Sequence, residues 1–142
     1  MSGRREWLLS LIHRSGGKIE GRTRLMKLAF LLDRAIEKKN SLSPFEFIAY
    51  KHGPFDKKVL NVLEDLDEEG ILNETTNPTP QGQQYEYELT EKGEEKAETA
   101  YSELGFWDQR VLKGTLKRWK DKSTRTIIGY VYDNFPEYTQ DD

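Results

Sequence analysis

Apolar residues recur at helical spacing along most of this chain and switch to alternation in two places. Trp7, Leu8, Leu11 and Ile12 form one stripe and predict a short helix over residues 5–14. Ser15-Gly16-Gly17 ends it, because glycine readily adopts the left-handed conformation common at helix ends. Lys18-Ile19-Glu20-Gly21 reads as a short extended link. Residues 22–39 form the strongest predicted helix. Leu25, Leu28, Ala29, Leu32 and Ile36 make a wide stripe, and Met26, Phe30 and Leu31 broaden it until the middle is apolar nearly all round. Such a helix belongs at the centre of a core. Residues 40–44 are a loop.

Phe45, Phe47 and Ala49 then alternate with Glu46, Ile48 and Tyr50, which predicts a strand at about 46–50. His52-Gly53-Pro54 breaks it. A helix follows from about 55 to 69, with Val59, Leu60, Leu63 and Leu66 as its buried face and Gly70 as its stop. Ile71-Leu72-Asn73 opens a second strand, and Asn77 to Gly82 is a turn-rich tip. Tyr85, Tyr87 and Leu89 alternate with Glu86 and Glu88 on the return. Thr90 suits the N-cap of a helix running to about Leu104. Further helices are predicted over 106–119 and 123–135, the last capped by Ser123 and ended by Pro136. The tail from Tyr138 to Asp142 is expected to fray.

A helix that ends in glycine and leads at once into a hairpin has the order of a winged helix, in which the hairpin is the wing and the preceding helix the recognition helix. The pattern Leu66-x-x-x-Gly70-Ile71-Leu72, then Tyr87-x-Leu89-Thr90-x-x-Gly93, resembles winged-helix regulators of the MarR and PadR type. The run from Gly21 through Arg22-Thr23-Arg24-Leu25-Met26-Lys27-Leu28 to Leu32 resembles a signature of YwgA-like proteins. So do Phe45-x-Phe47-x-x-Tyr50-Lys51-His52-Gly53-Pro54-Phe55 and Val131-Tyr132-Asp133-Asn134-Phe135-Pro136-Glu137-Tyr138. More distantly, the Leu-x-Lys-Leu and Gly-Pro elements are similar to the SocA-like (Panacea) antitoxin domain. The resemblance implies a winged-helix-like domain of regulatory or antitoxin type and no catalytic residue. The expected fold is therefore α+β and mostly helical: a winged helix-turn-helix with a β-hairpin wing and additional C-terminal helices. Residues 1–104 would form the winged-helix domain. Residues 105–142 would form a helical extension that packs on it or mediates dimerisation.

Charge changes this picture. The 142 residues carry a net charge of −3, but residues 1–58 hold 13 Lys/Arg against 6 Asp/Glu. Residues 59–104 hold 2 Lys against 13 Asp/Glu, and residues 105–142 hold 7 Lys/Arg against 6 Asp/Glu. The basic part suits phosphate or an acidic protein; equally, the two parts suit each other. There is no cysteine, so disulfides, thiolate chemistry and Cys-based zinc sites are excluded. No apolar run is long enough to span a bilayer, no apolar segment follows Met1-Ser2-Gly3-Arg4-Arg5-Glu6 as a secretion signal would, and a cytoplasmic location is expected.

Four sets of residues are candidates for binding. The first turns of the helix near Phe55 would expose Asp56, Lys57, Lys58 and Asn61, and lysine reaches phosphates while asparagine pairs with adenine. The rest of that helix (Glu64, Asp65, Asp67, Glu68, Glu69) must point away from DNA, and its alternative role is a solvated face. The wing holds no Lys or Arg and carries Glu74, Glu86 and Glu88, which weakens a DNA-reading role and leaves a protein contact open. Arg22, Arg24, Lys27 and Arg34 flank the apolar stripe of the second helix and suit either phosphate or pairing with the acidic segment. Arg22 and Arg24 lie where the helix dipole disfavours cations, so partners are expected. Lys113, Lys117, Arg118, Lys120 and Lys122 surround Trp119, a pattern of nucleic-acid binding and also of an ordinary helix end.

His13 and His52 have no metal-binding spacing, there is no phosphate-binding glycine loop, and no elbow presents a nucleophile. No enzyme activity, metal or cofactor is expected. Two functions remain. One is a homodimeric transcriptional regulator that binds double-stranded DNA. The other is a protein-interaction module of antitoxin or adaptor type that holds a toxin or another protein. They differ in whether the remaining basic residues share a face with Lys57, Lys58 and Asn61, or whether the acidic wing does.

Overall fold

The computed structural model describes residues 3–39 and 41–139. Six helices and five short strands are formed among them: α1 (Arg4–Arg14), β1 (Lys18–Glu20), α2 (Arg22–Lys38), β2 (Ile48–Tyr50), β3 (Gly53–Phe55), α3 (Lys57–Glu68), β4 (Leu72–Thr79), β5 (Gly82–Leu89), α4 (Glu91–Glu103), α5 (Phe106–Trp119) and α6 (Thr124–Asn134). The fold is α+β, with a small antiparallel sheet in the order β1-β5-β4 and a separate β2–β3 pair.

α2 is the hub. Its apolar residues from Leu25 to Leu32, together with Ile36, are buried, so it presents core on nearly every side. Each fully buried leucine contributes about 1.5–3 kcal/mol. α5, α6 and β3 all pack against α2, while α1 packs against α3 and α4. Leu112, Leu116, Trp119, Ile127 and Val131 belong to the same core cluster as Leu8, Phe30 and Leu63. α5 and α6 therefore share the core of the first 104 residues, and α5 runs unbroken through Gly114.

The caps expected at Thr90 and Ser123 are formed: their hydroxyls accept from the Gly93 and Thr126 amides at 2.9 and 3.1 Å. Four local expectations need correction. Residues 18–20 form a strand, because Ile19 pairs with Tyr87 and both side chains are buried. Lys18 bridges Glu20 and Glu86, which face each other across the pair. The strand ends at Tyr50, but the break is a two-residue turn at Lys51-His52, and Gly53-Pro54-Phe55 form the returning strand: Tyr50 pairs with Gly53 and Ile48 with Phe55. The helix expected from about 55 starts at Lys57, because Phe55 belongs to β3. Finally, Tyr138 and Thr139 are docked, not frayed. The Tyr138 ring lies 4.8 Å from Phe30, and Thr139 bridges Tyr50; residues 140–142 lie outside the described residues.

The junction of α3, the hairpin and α4 is tight. Gly70 has φ +73° and turns the chain out of α3, and Thr90 Oγ1 donates to its carbonyl at 2.6 Å. Gly93, in the first turn of α4, lies against the Ile71 carbonyl so closely that an added Cβ would overlap that oxygen. That oxygen is held by backbone pairing, since the Thr90 amide donates to it at 3.1 Å. Gly93→Ala should therefore lower stability by about 1–3 kcal/mol in urea unfolding despite alanine's better helix propensity. An unchanged or raised midpoint would show that the junction yields.

Candidate functional site

The start of α3 is built on Asp56, which is only 3% exposed. This corrects its expected place on the exposed turn. One carboxylate oxygen accepts from the Lys58 amide at 3.0 Å, capping the helix; the other accepts from the Glu46 amide at 3.0 Å and Arg4 Nε at 3.1 Å. Lys57, Lys58 and Asn61 are exposed as expected. Lys58 Nζ, however, lies 3.4 Å from Glu46 Oε1, which also takes Arg4 at 3.3 Å. Hydrogen bonds from Arg4 and Lys58 hold the Glu46 carboxyl below the usual range. The exposed carboxylate therefore sits among the cations that phosphate would need. Farther along α3, Glu64, Asp65, Asp67, Glu68 and Glu69 are all exposed. Asp67 Oδ1 accepts from the Glu74 amide at 3.3 Å, which ties the acidic half of α3 to the acidic wing. Arg5 Nη2 donates to Glu69 at 2.8 Å.

The other basic candidates are dispersed. Arg22 reaches the wing: Nε donates to Tyr87 Oη at 2.9 Å, Nη2 donates to Glu74 at 3.1 Å, and the guanidinium lies 3.7 Å from the Tyr85 ring centre. Tyr87 is fully buried, and burial pushes its hydroxyl up to about 12. Arg24 turns the opposite way, donating to the Lys120 carbonyl at 2.7 Å and to Thr124 Oγ1 at 3.3 Å. Arg34 is held by Asp33 at 2.8 Å and Glu37 at 3.2 Å. Lys117, Arg118 and Lys120 are exposed on and just after α5. Arg118 lies 4.8 Å from the rings of both Trp119 and Tyr130, and Trp119 itself is buried. Thus Arg22 and Arg24 have the partners that the helix dipole asks for. Only Arg22 finds them in the acidic segment.

Lys27 is the clearest correction. It does not flank the stripe but lies within it, 4% exposed. Its Nζ donates to the His52 carbonyl at 2.8 Å, so it cannot serve as a phosphate contact. Asp33 is likewise buried, and accepts from Ser43 Oγ and from Arg34. Of the histidines, His13 Nδ1 lies 3.3 Å from Glu94 and His52 is exposed. Among the described residues no group of His, Cys, Asp or Glu is placed to hold a metal ion, and no helix is long and apolar enough to cross a membrane.

Arg34, Arg118 and Trp119, from two separate candidate sets, come together in one place. An open groove of about 1100 Å³ runs between the C-terminal half of α2 and α5. Leu31, Val111, Tyr130 and Phe135 contribute to its apolar lining, and Trp107, 73% exposed, stands on its wall. No protein-family model matches the chain, and no match was found among the curated proteins.

Burial lowers the Lys27 ammonium from its ordinary 10.5 to about 8. Between pH 8 and 10.5 the unfolded chain holds a proton at this site that the folded chain has shed, so stability rises with pH across that window. Lys27→Met should remove this rise, which amounts to a few kcal/mol, and should narrow its difference from wild type as pH increases. Urea midpoints of both proteins at pH 7 and 9.5 test it; parallel shifts would refute it.

Proposed function

We propose that this protein is an interaction module of antitoxin or adaptor type, built on a winged-helix-like scaffold, that binds another protein and does not read DNA. The scaffold reading is supported by the passage from α3 through Gly70 into the β4–β5 hairpin, with β1 along its far edge. It is also supported by the YwgA-like and SocA-like motifs, two of which meet where Lys27 binds the His52 carbonyl.

The observation that carries the functional reading is where the cations go. Arg22, Arg24, Lys27 and Lys58 all have partners within the chain. The hairpin that would flank a DNA groove has no Lys or Arg of its own; Arg22 and Lys18 meet its Glu74 and Glu86, and the carboxylates of Glu88 and Asp67 lie beside them. A recognition helix in the major groove has phosphates on both sides, and carboxylates there oppose binding. The second reading, a regulator that binds duplex DNA, rests on the exposed Lys57 and Asn61 at the N-terminus of α3.

Binding to a pool of random duplex DNA at low and moderate salt separates the two. Wild type should show no salt-steep binding, and Lys57→Glu/Lys58→Glu should alter retention by less than about twofold. Steep salt dependence that the double variant abolishes would instead establish the regulator.

A further inference from the structure

The groove between α2 and α5 combines two properties that an inert surface lacks. Its lining holds five cations, Arg34, Lys38, Lys39, Arg110 and Arg118, against the two carboxylates Glu37 and Asp108. The chain as a whole is net negative. Among the described residues, no ion pair engages Lys38, Lys39, Arg110 or Arg118; only Arg34 is neutralised locally. Beside this rim stand two large exposed rings at the start of α5, Phe106 and Trp107, with centres 5.0 Å apart and planes at 80°. An aromatic pair at the edge of an apolar trough is expensive to leave in water and is typical of interface anchors.

We propose that this groove binds an acidic segment of another protein, seating a large apolar side chain against Trp107 while the segment's carboxylates meet Lys38, Lys39, Arg110 and Arg118. The proposal rests on the reading of the chain as a protein-interaction module and gives that module its surface and the chemistry of its partner. Two helices wall the trough, which suits an amphipathic helix or a short extended peptide laid along it. Two other occupants fit less well. A second copy meeting groove to groove would set like-charged rims against each other, where complementary charge is needed. Single-stranded nucleic acid needs a succession of open ring faces. Here Trp119 and Tyr130 pack on each other at 4.4 Å under Arg118, which leaves Trp107 as the open ring of the lining. Glu37 and Asp108 would also face phosphate.

The test is a displayed library of random peptides, selected on the full chain and counter-selected on the Trp107→Ala/Arg110→Glu variant. Both side chains are exposed, so the variant should melt with the wild type, which checks its fold. Enriched peptides should be net acidic around one or two large apolar residues. A synthetic peptide of that kind should shift tryptophan emission to the blue; Trp7 does not line the groove and Trp119, which does, is already buried, so Trp107→Ala should remove most of the shift. Arg110→Glu should weaken binding by about tenfold or more, and added salt should weaken it further.

The proposal is overturned if no peptide is enriched over the variant, or if the enriched peptides are neutral or basic. It is equally overturned if protein concentration alone, or a single-stranded oligonucleotide, produces the Trp107 shift. Failure here with no duplex DNA binding would remove the groove and leave the interaction module standing. Salt-steep binding of duplex DNA through Lys57 and Lys58 would remove the module reading itself.

Discussion

A helix with almost no free face must be enclosed by the rest of its chain, and α2 imposes that requirement here. Ten of its 17 residues are buried, and two of these are charged. A buried charge needs a partner or it costs more than the packing around it returns. Lys27 draws in the His52 carbonyl, and Asp33 draws in Ser43 and Arg34. The segment between α2 and α3 is thereby pinned at two points. Gly53 has φ +102° at one of them, where a Cβ would come 3.1 Å from Lys27 Nζ. Glycine is required there both for its backbone conformation and for the room it leaves.

The same economy governs the surface. The basic first part of the chain and its acidic middle meet at several points. Arg5 meets Glu69, His13 lies beside Glu94, Lys18 meets Glu86, and Arg22 meets Glu74. Exposed pairs of this kind contribute little individually to stability. Their effect is to pair off part of the positive charge of the first 58 residues. Lys57, Lys117, Lys120 and Lys122 stay exposed, and the cationic rim of the α2–α5 groove is a further group, assembled from residues that are far apart in sequence.

Much of the architecture could be read from residue spacing. The six helices were legible because their apolar period is long and most of their ends are marked by Thr90, Ser123 or glycine; the Asp56 cap of α3 was not, and that helix was placed about two residues early. β1 was not legible, because three residues with one buried side chain are too few to show a period; Ile19 is buried where Tyr87 pairs with it across the sheet. β3 was hidden because Gly53-Pro54 has the chemistry of a break. Site residues were harder. Helical spacing gives the angle of a side chain but not what lies opposite, so Lys27 looked like a flank when β3 and His52 cover it. Asp56 looked exposed because its partners, Arg4 and Glu46, come from two other segments. The groove was legible only in pieces: Arg34 stood in one candidate set and Arg118 and Trp119 in another, and no local pattern joins Lys38 to Trp107.

The hairpin divides along its length. β1 pairs with residues 86–88 alone, and Leu72, Tyr87 and Leu89 are buried at that end. Beyond it, from Thr75 to Gln84, nearly every residue is exposed and the two strands pair only with each other. The core therefore has no means of sensing how long the ribbon is. Residues added or removed in matched pairs would preserve the facing of Tyr87 and Leu89 and the closure at Thr90. Reach is a property this fold can vary freely, while its base stays fixed.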